Sequence, residues 1–321
     1  MNADWHRAHV LGRGASWEDR VRWHEEHAFA RDAANGATTT LPIVYTWDGG
    51  NPGNGLFGLG FTGLMTNGTT DYLTQFDPVQ MTPGGAAGKL TVDQITAGDA
   101  LDARNSQQYA FQFGLSSDST TAPFTAHTRL SKPFFSGAPA DSMSEGLFVG
   151  SGTQDDYLSV AFGVRGGQTV ILTTHEVGGV ATTTQYAAPI TGATNWVDLF
   201  LDVNPAANTV QPRFQVEGGA PSSAGPAVAL VPGSALERAV RSTPSLAVGI
   251  VATSRGATPF VATWDHLHVT TSSTTGWHVC CRPTASKAPQ PRRSCLPTPS
   301  PPIGACASWP TTTATAPPPA P

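Results

Sequence analysis

The chain has 321 residues, enough for one large β domain with appendages, and it carries 34 Gly and 27 Pro with only 13% charged residues. The usual charged share is about 25%, so this balance suits turns and strands and argues against a helical bundle. The net charge of −5, from 18 Lys and Arg against 23 Asp and Glu, provides no field that would gather a polyanion, so no nucleic-acid partner is expected.

Residues 1–40 form a separate N-terminal helical segment and linker. Two pieces, Trp5-His6-Arg7-Ala8-His9 and Trp23-His24-Glu25-Glu26-His27, share the pattern W-H-x-x-H. Ser16 followed by Trp17, Glu18 and Asp19 gives an N-cap with acids in the first turn, which predicts a helix over 17–33. His24 and His27 share a helix face and could hold a metal with His6 and His9. No Cys and no obvious carboxylate completes that set, so an exposed helix face is expected instead. The start of the chain shows no apolar stretch of the kind a secretory signal needs. No apolar run approaches the roughly 20 residues of a membrane helix, and no membrane insertion is expected.

From residue 41 to 272 the pattern is that of an all-β domain. Leu41 to Trp47 opens it. The glycine-rich Gly53-Asn54-Gly55-Leu56-Phe57-Gly58 formally matches a dinucleotide-binding fingerprint, but no helical pattern follows it, so a loop is expected. Lys89 to Ile95, Tyr109 to Phe113 and Phe124 to Phe135 alternate as strands. Across 145–217 come Glu145 to Gly150, Tyr157 to Val164, Gln168 to Val177 and Trp196 to Val203. These are closed by Gly166-Gly167, Gly178-Gly179 and Asn204-Pro205, and together they read as an antiparallel meander. Leu246 to Ala252 reads as a strand buried on both faces, and Phe260 to Val269 as the closing strand.

The later strands have readable faces. Val197, Leu199, Leu201 and Val203 alternate toward one side and are expected in the core, while Trp196, Asp198, Phe200 and Asp202 fall on the other. In the closing strand strict alternation puts Trp264, His266 and His268 together. The opposite row holds Val261, Thr263, Asp265, Leu267 and Val269. Asp265, an acid in an apolar row, is a possible calcium ligand. His127 and His175 read as isolated surface histidines.

Beyond Thr271 there is no Asp or Glu, and Pro, Thr and Ser dominate. Residues 273–321, which hold all four cysteines, are expected to form a disordered tail.

Between about 45 and 271 the chain resembles a concanavalin A-like, or laminin G-like, domain of the kind found in large secreted bacterial proteins. The resemblance is carried by Gly58 to Leu64 (GLGFTGL), Tyr72 to Val79 (YLTQFDPV), Gly88 to Ala100 (GKLTVDQITAGDA), Glu145 to Val164, Trp196 to Val203 and Ala262 to Val269 (ATWDHLHV). It implies a two-sheet antiparallel jelly-roll sandwich whose face often binds carbohydrate and whose loops sometimes hold calcium. It also implies an extracellular or cell-surface location beside other modules of a larger polypeptide. The paired carboxylates of the glucan-hydrolysing members are missing, as is the Gln-Ile-His strand motif of the alginate-lyase jelly rolls. No G-x-S-x-G elbow, Walker sequence or H-E-x-x-H occurs either.

The expectation is therefore a non-catalytic carbohydrate-binding or adhesive module, not an enzyme. Its polysaccharide or glycan ligand would rest on Trp196, Asp198, Phe200, Trp264 and His266. The alternatives are a purely structural spacer domain and, behind it, a glycan hydrolase or lyase.

Overall fold

A computed structural model describes residues 41–47, 59–61, 63–65, 79–84, 87–95, 98–133, 140–188, 190, 194–242 and 246–271. The histidine-bearing N-terminal segment, the loop at 53–58 and the tail with its cysteines lie outside the described residues. Among those described, no helix is long and apolar enough to cross a membrane.

Sixteen strands and one short helix are described. In chain order they are β1 (Ile43–Thr46), β2 (Gly63–Leu64), β3 (Met81–Gly84), β4 (Lys89–Ile95), β5 (Tyr109–Leu115), β6 (Phe124–Ser131), β7 (Ser144–Gly150) and β8 (Tyr157–Arg165). Then come β9 (Gln168–Val177), β10 (Val180–Ala187), β11 (Trp196–Asn204), β12 (Thr209–Val216), β13 (Ser222–Ser223), β14 (Val228–Ala229), α1 (Ala235–Arg241), β15 (Leu246–Thr253) and β16 (Phe260–Thr271).

The strands form two antiparallel sheets of a jelly-roll sandwich. The nine-stranded sheet runs β13-β12-β11-β6-β16-β4-β3, with β1 also on β16 and β14 on β12. The seven-stranded sheet runs β10-β9-β8-β7-β15-β5-β2.

The predicted meander divides between these sheets. β7 to β10 pair in sequence within the seven-stranded sheet, whereas the β11–β12 hairpin belongs to the other. Alternation and turn residues identify a strand and its hairpin partner; they carry no information on which sheet a strand joins after a longer connection. The hairpin turns are as the glycines require. Gly166 and Gly167 (φ 58° and 72°) and Gly178 and Gly179 (φ 57° and 77°) all occupy the left-handed region, where two successive positive φ values match the strand twist.

Inward-facing residues of both sheets make one core. β11 contributes Val197, Leu199, Leu201 and Val203, β6 contributes Phe124, Ala126 and Leu130, and Leu147, Val149, Leu158 and Val160 face them from the other sheet. Each such side chain taken from water contributes about 1.5–3 kcal/mol, which fixes the register of every strand that carries a row of them.

The closing strand breaks strict alternation. Between Trp264 and His266 the pairing of β16 with β6 shifts by one residue, so Asp265 is the extra residue of a β-bulge. Ala262 and Trp264 before it, and Leu267 and Val269 after it, all reach the core. Trp264 is fully buried, so the expectation that it shares an outer face with His266 is corrected by the bulge. Thr128 Oγ1 donates to the His266 carbonyl at 2.6 Å beside the bulge.

Candidate functional site

The outer face of the nine-stranded sheet is built from the residues that alternate with the core rows. Register places them in cross-strand ladders. His268 lies opposite His127, His127 opposite Phe200, and Phe200 opposite Arg213. One row over, His266 lies opposite Arg129, Arg129 opposite Asp198, and Asp198 opposite Gln215. Thr125, Asp202 and Gln211 make a third row.

Asp198 is the hub of these rows and is 1% exposed. Arg129 grips it with two bonds, Nε to Oδ1 at 2.8 Å and Nη2 to Oδ2 at 3.0 Å. His127 Nε2 lies 2.9 Å from Oδ1. Because an ionised carboxylate only accepts, Nε2 carries the proton and donates. Burial alone would push the Asp198 carboxyl upward, but the hydrogen bonds from His127 and Arg129, with their charges, hold it below the usual carboxylate range. A second pair repeats the design four residues along β11: Arg213 donates to Asp202 at 2.5 and 2.8 Å, and Thr125 Oγ1 donates to Asp202 Oδ1 at 2.7 Å.

Rings fill the space between the pairs. His127 stacks on Phe200 with centroids 4.3 Å apart, and His266 stacks on His268 at 4.1 Å. His127 meets His266 edge to face at 4.5 Å. The Arg213 guanidinium carbon lies 5.0 Å from the Phe200 ring and that of Arg129 lies 5.4 Å from the Trp196 ring. Burial, then the neighbouring His127 and His268, push His266 down to about 3, and burial also lowers His268. The His266 ring is therefore neutral at physiological pH. One ligand atom from each of His127, His266 and His268 lies within 4.8 Å of the others, and this is the set among the described residues that could hold a metal.

Four of the five expected binding residues, Trp196, Asp198, Phe200 and His266, share this face, and Trp264 does not. Three of the four are buried, His266 at 9% exposed among them. Phe200 is 3% exposed beneath its neighbours, and both Asp198 oxygens are already bonded to protein donors. They support the face instead of touching a ligand, whereas Trp196 is half-exposed. His127, read as an isolated surface histidine, sits at the centre of the cluster because β6 lies between β11 and β16. The alternating Thr125-His127-Arg129 row was the signal for it.

Asp265, the possible calcium ligand, has two side-chain nitrogen partners among the described residues. Its carboxylate lies 4.0 Å from Lys89 Nζ and 3.6 Å from His266 Nδ1. Calcium takes six to eight oxygen ligands, and these neighbours are nitrogens.

No protein-family profile matches the chain, and no curated protein matches it. Solved structures do. A xylan β-1,4-xylosidase from Bacillus halodurans is 14% identical with a TM-score of 0.46, over 60% of this chain and 35% of that one. The GH43 protein BlXynB from Bacillus licheniformis is 14% identical with a TM-score of 0.44, over 57% and 33%. A seed lectin from Lotus tetragonolobus is 8% identical with a TM-score of 0.42, over 60% and 90%. The chain thus spans about a third of the length of the two Bacillus chains. The two-sheet sandwich itself is given by the strand pairings described above. The expectation of a chain that is not an enzyme is corrected: the structures it is similar to include a xylan β-1,4-xylosidase and GH43 proteins.

Proposed function

We propose that the outer face of the nine-stranded sheet binds carbohydrate as a lectin-like module of a larger exported protein. Trp196 is the stacking platform, and Arg129, Arg213 and Asp202 hydrogen-bond to sugar hydroxyls. A sugar ring presents apolar CH patches beside hydroxyls, so its receptor needs an aromatic surface next to fixed planar donors and acceptors.

The observation that carries this reading is the pair of guanidinium–carboxylate clamps set four residues apart on β11 beside a half-exposed indole. Each arginine spends Nε and one terminal nitrogen on its aspartate. The remaining N–H groups are held in a fixed direction, which lowers the ordering cost of binding.

Affinity electrophoresis of the full chain through gels containing soluble polysaccharides tests it. Retardation by at least one polymer is expected, with Trp196→Ala weakening it about tenfold, equivalent to about 1.4 kcal/mol. Migration unaffected by every polymer tried, or a Trp196→Ala protein retarded like the parent, would remove the reading.

A further inference from the structure

We propose that His127, His266 and His268 form a binding site for a divalent transition-metal ion of the zinc class, with Asp198 orienting His127 from behind. His268 and His127 are direct register partners on adjacent strands, and His266 stands one row away on the same face. The bulge at Asp265 sets that phase, because it lets Trp264 stay in the core while His266 and His268 both turn outward.

Three features carry the assignment. First, His266 Nε2 lies 3.3 Å from His127 Nδ1 and 3.4 Å from His127 Nε2. The near-equal distances single out neither nitrogen as a hydrogen-bond partner. One ring nitrogen from each of the three histidines lies within 4.8 Å of the others, so that ring rotation on an unmoved backbone brings them to the separation of about 3.3 Å required around a tetrahedral ion with bonds of about 2.0–2.1 Å. Second, His268 Nε2 is buried and has no hydrogen-bond partner among the described residues, an arrangement that costs free energy unless something accepts its lone pair. Third, the proton on His127 Nε2 is committed to Asp198 at 2.9 Å, which leaves Nδ1 as the free donor of an electron pair. A carboxylate behind a ligating imidazole is the usual means of fixing its tautomer. Three imidazoles with no oxygen ligand select zinc, cobalt, nickel or copper over calcium or magnesium.

This site is independent of the carbohydrate reading and is tested with no saccharide present. The untagged full chain is titrated with Co2+, read by its visible ligand-field absorption, and with Zn2+ by calorimetry. One ion per chain is expected. His268→Ala abolishes the signal while leaving the metal-free circular dichroism and melting temperature unchanged. His24→Ala/His27→Ala, which removes the N-terminal pair, retains it. Asp198→Asn weakens the ion about 10- to 100-fold. No uptake by the parent chain overturns the proposal, as does uptake that survives both His268→Ala and His127→Gln. In either case the rings are an aromatic packing cluster and nothing more.

Discussion

The two outer faces of the sandwich are built from the same strand periodicity and have opposite chemistry. On the nine-stranded sheet the outward rows hold ion pairs, imidazoles and an indole. On the seven-stranded sheet they hold Gly146, Gly150, Gly249, Ala110, Ala161 and Ala247, with Phe148 and Tyr157 among them. A second, smaller apolar cluster forms there, in which Met65, Ala100, Ala110, Phe148, Tyr157, Ala247 and Val251 pack together. The segment around the 3-10 turn Asp102–Arg104 is tied over it. Tyr157 Oη donates to the Ala100 carbonyl at 2.9 Å, the Asp102 amide donates to Glu176 Oε2 at 3.2 Å, and Gln154 Nε2 donates to the Asp102 carbonyl at 2.8 Å. One face is thus capped by the chain itself, and the other presents fixed polar groups. A sheet face that keeps costly buried charge in paired form while its counterpart is closed with small residues is the one to examine for binding.

The largest effect that sharpens this contrast is at Gly249. A methyl group there would collide with the Phe111 carbonyl and come within 2.7 Å of the Phe148 ring. Gly249→Ala should therefore cost about 1–3 kcal/mol by overpacking, measured by urea denaturation. A change of the same size at Thr263, half-exposed on the opposite face, should stay within about 0.5 kcal/mol.

Next comes pH. Burial, opposed by the Asp102 amide and reinforced by the charges of Asp102, Asp155 and Asp99, raises Glu176 from its ordinary 4.5 to about 7. Between those values the unfolded chain has released this proton and the folded chain still holds it. The contribution is therefore full below about 4.5 and is lost as pH rises through about 7. Glu176→Gln should remove this component, so the variant gains stability relative to the parent as pH rises from about 4.5 to about 7, with no further change above that. Equal pH profiles for the two proteins would contradict the cap as described.

A modest stability effect belongs to the outer pair on the polar face. Asp202 and Arg213 are 28% and 23% exposed, and replacing Arg213 with Ala should cost no more than about 1 kcal/mol. Its effect on saccharide retention should be larger than its effect on the melting temperature, which separates a binding role from a structural one.

Much of the fold was legible because its signals are local. Gly166-Gly167 and Gly178-Gly179 mark two-residue hairpins, and the row Val197, Leu199, Leu201, Val203 announces its own core face. The edge strand β10 was not, since Val180 to Ala187 is polar and mostly exposed and has no apolar row to betray it. Helix α1 also escaped reading. Its Ser234 cap accepts from the Glu237 amide at 3.1 Å, a capping signature attached to a helix of only seven residues.

The site was half legible for the same reason. Trp196, Asp198 and Phe200 lie on one strand and could be grouped by alternation. His127 and Arg129 are some 70 residues away in sequence from Asp198, and only the non-local register of β6 between β11 and β16 brings them to it. Trp264 was misplaced because a bulge adds one residue without altering composition. The trace it leaves is a change of phase, with Ala262 and Trp264 apolar on even positions and Leu267 and Val269 on odd ones.

The central claim is that the polar outer face, and not the capped one, meets the ligand. Backbone amide chemical-shift mapping with a retained saccharide tests it most directly. The account predicts perturbations centred on Arg129, Trp196 and Arg213. Perturbations confined to β5, β7, β8 and β15 would contradict it.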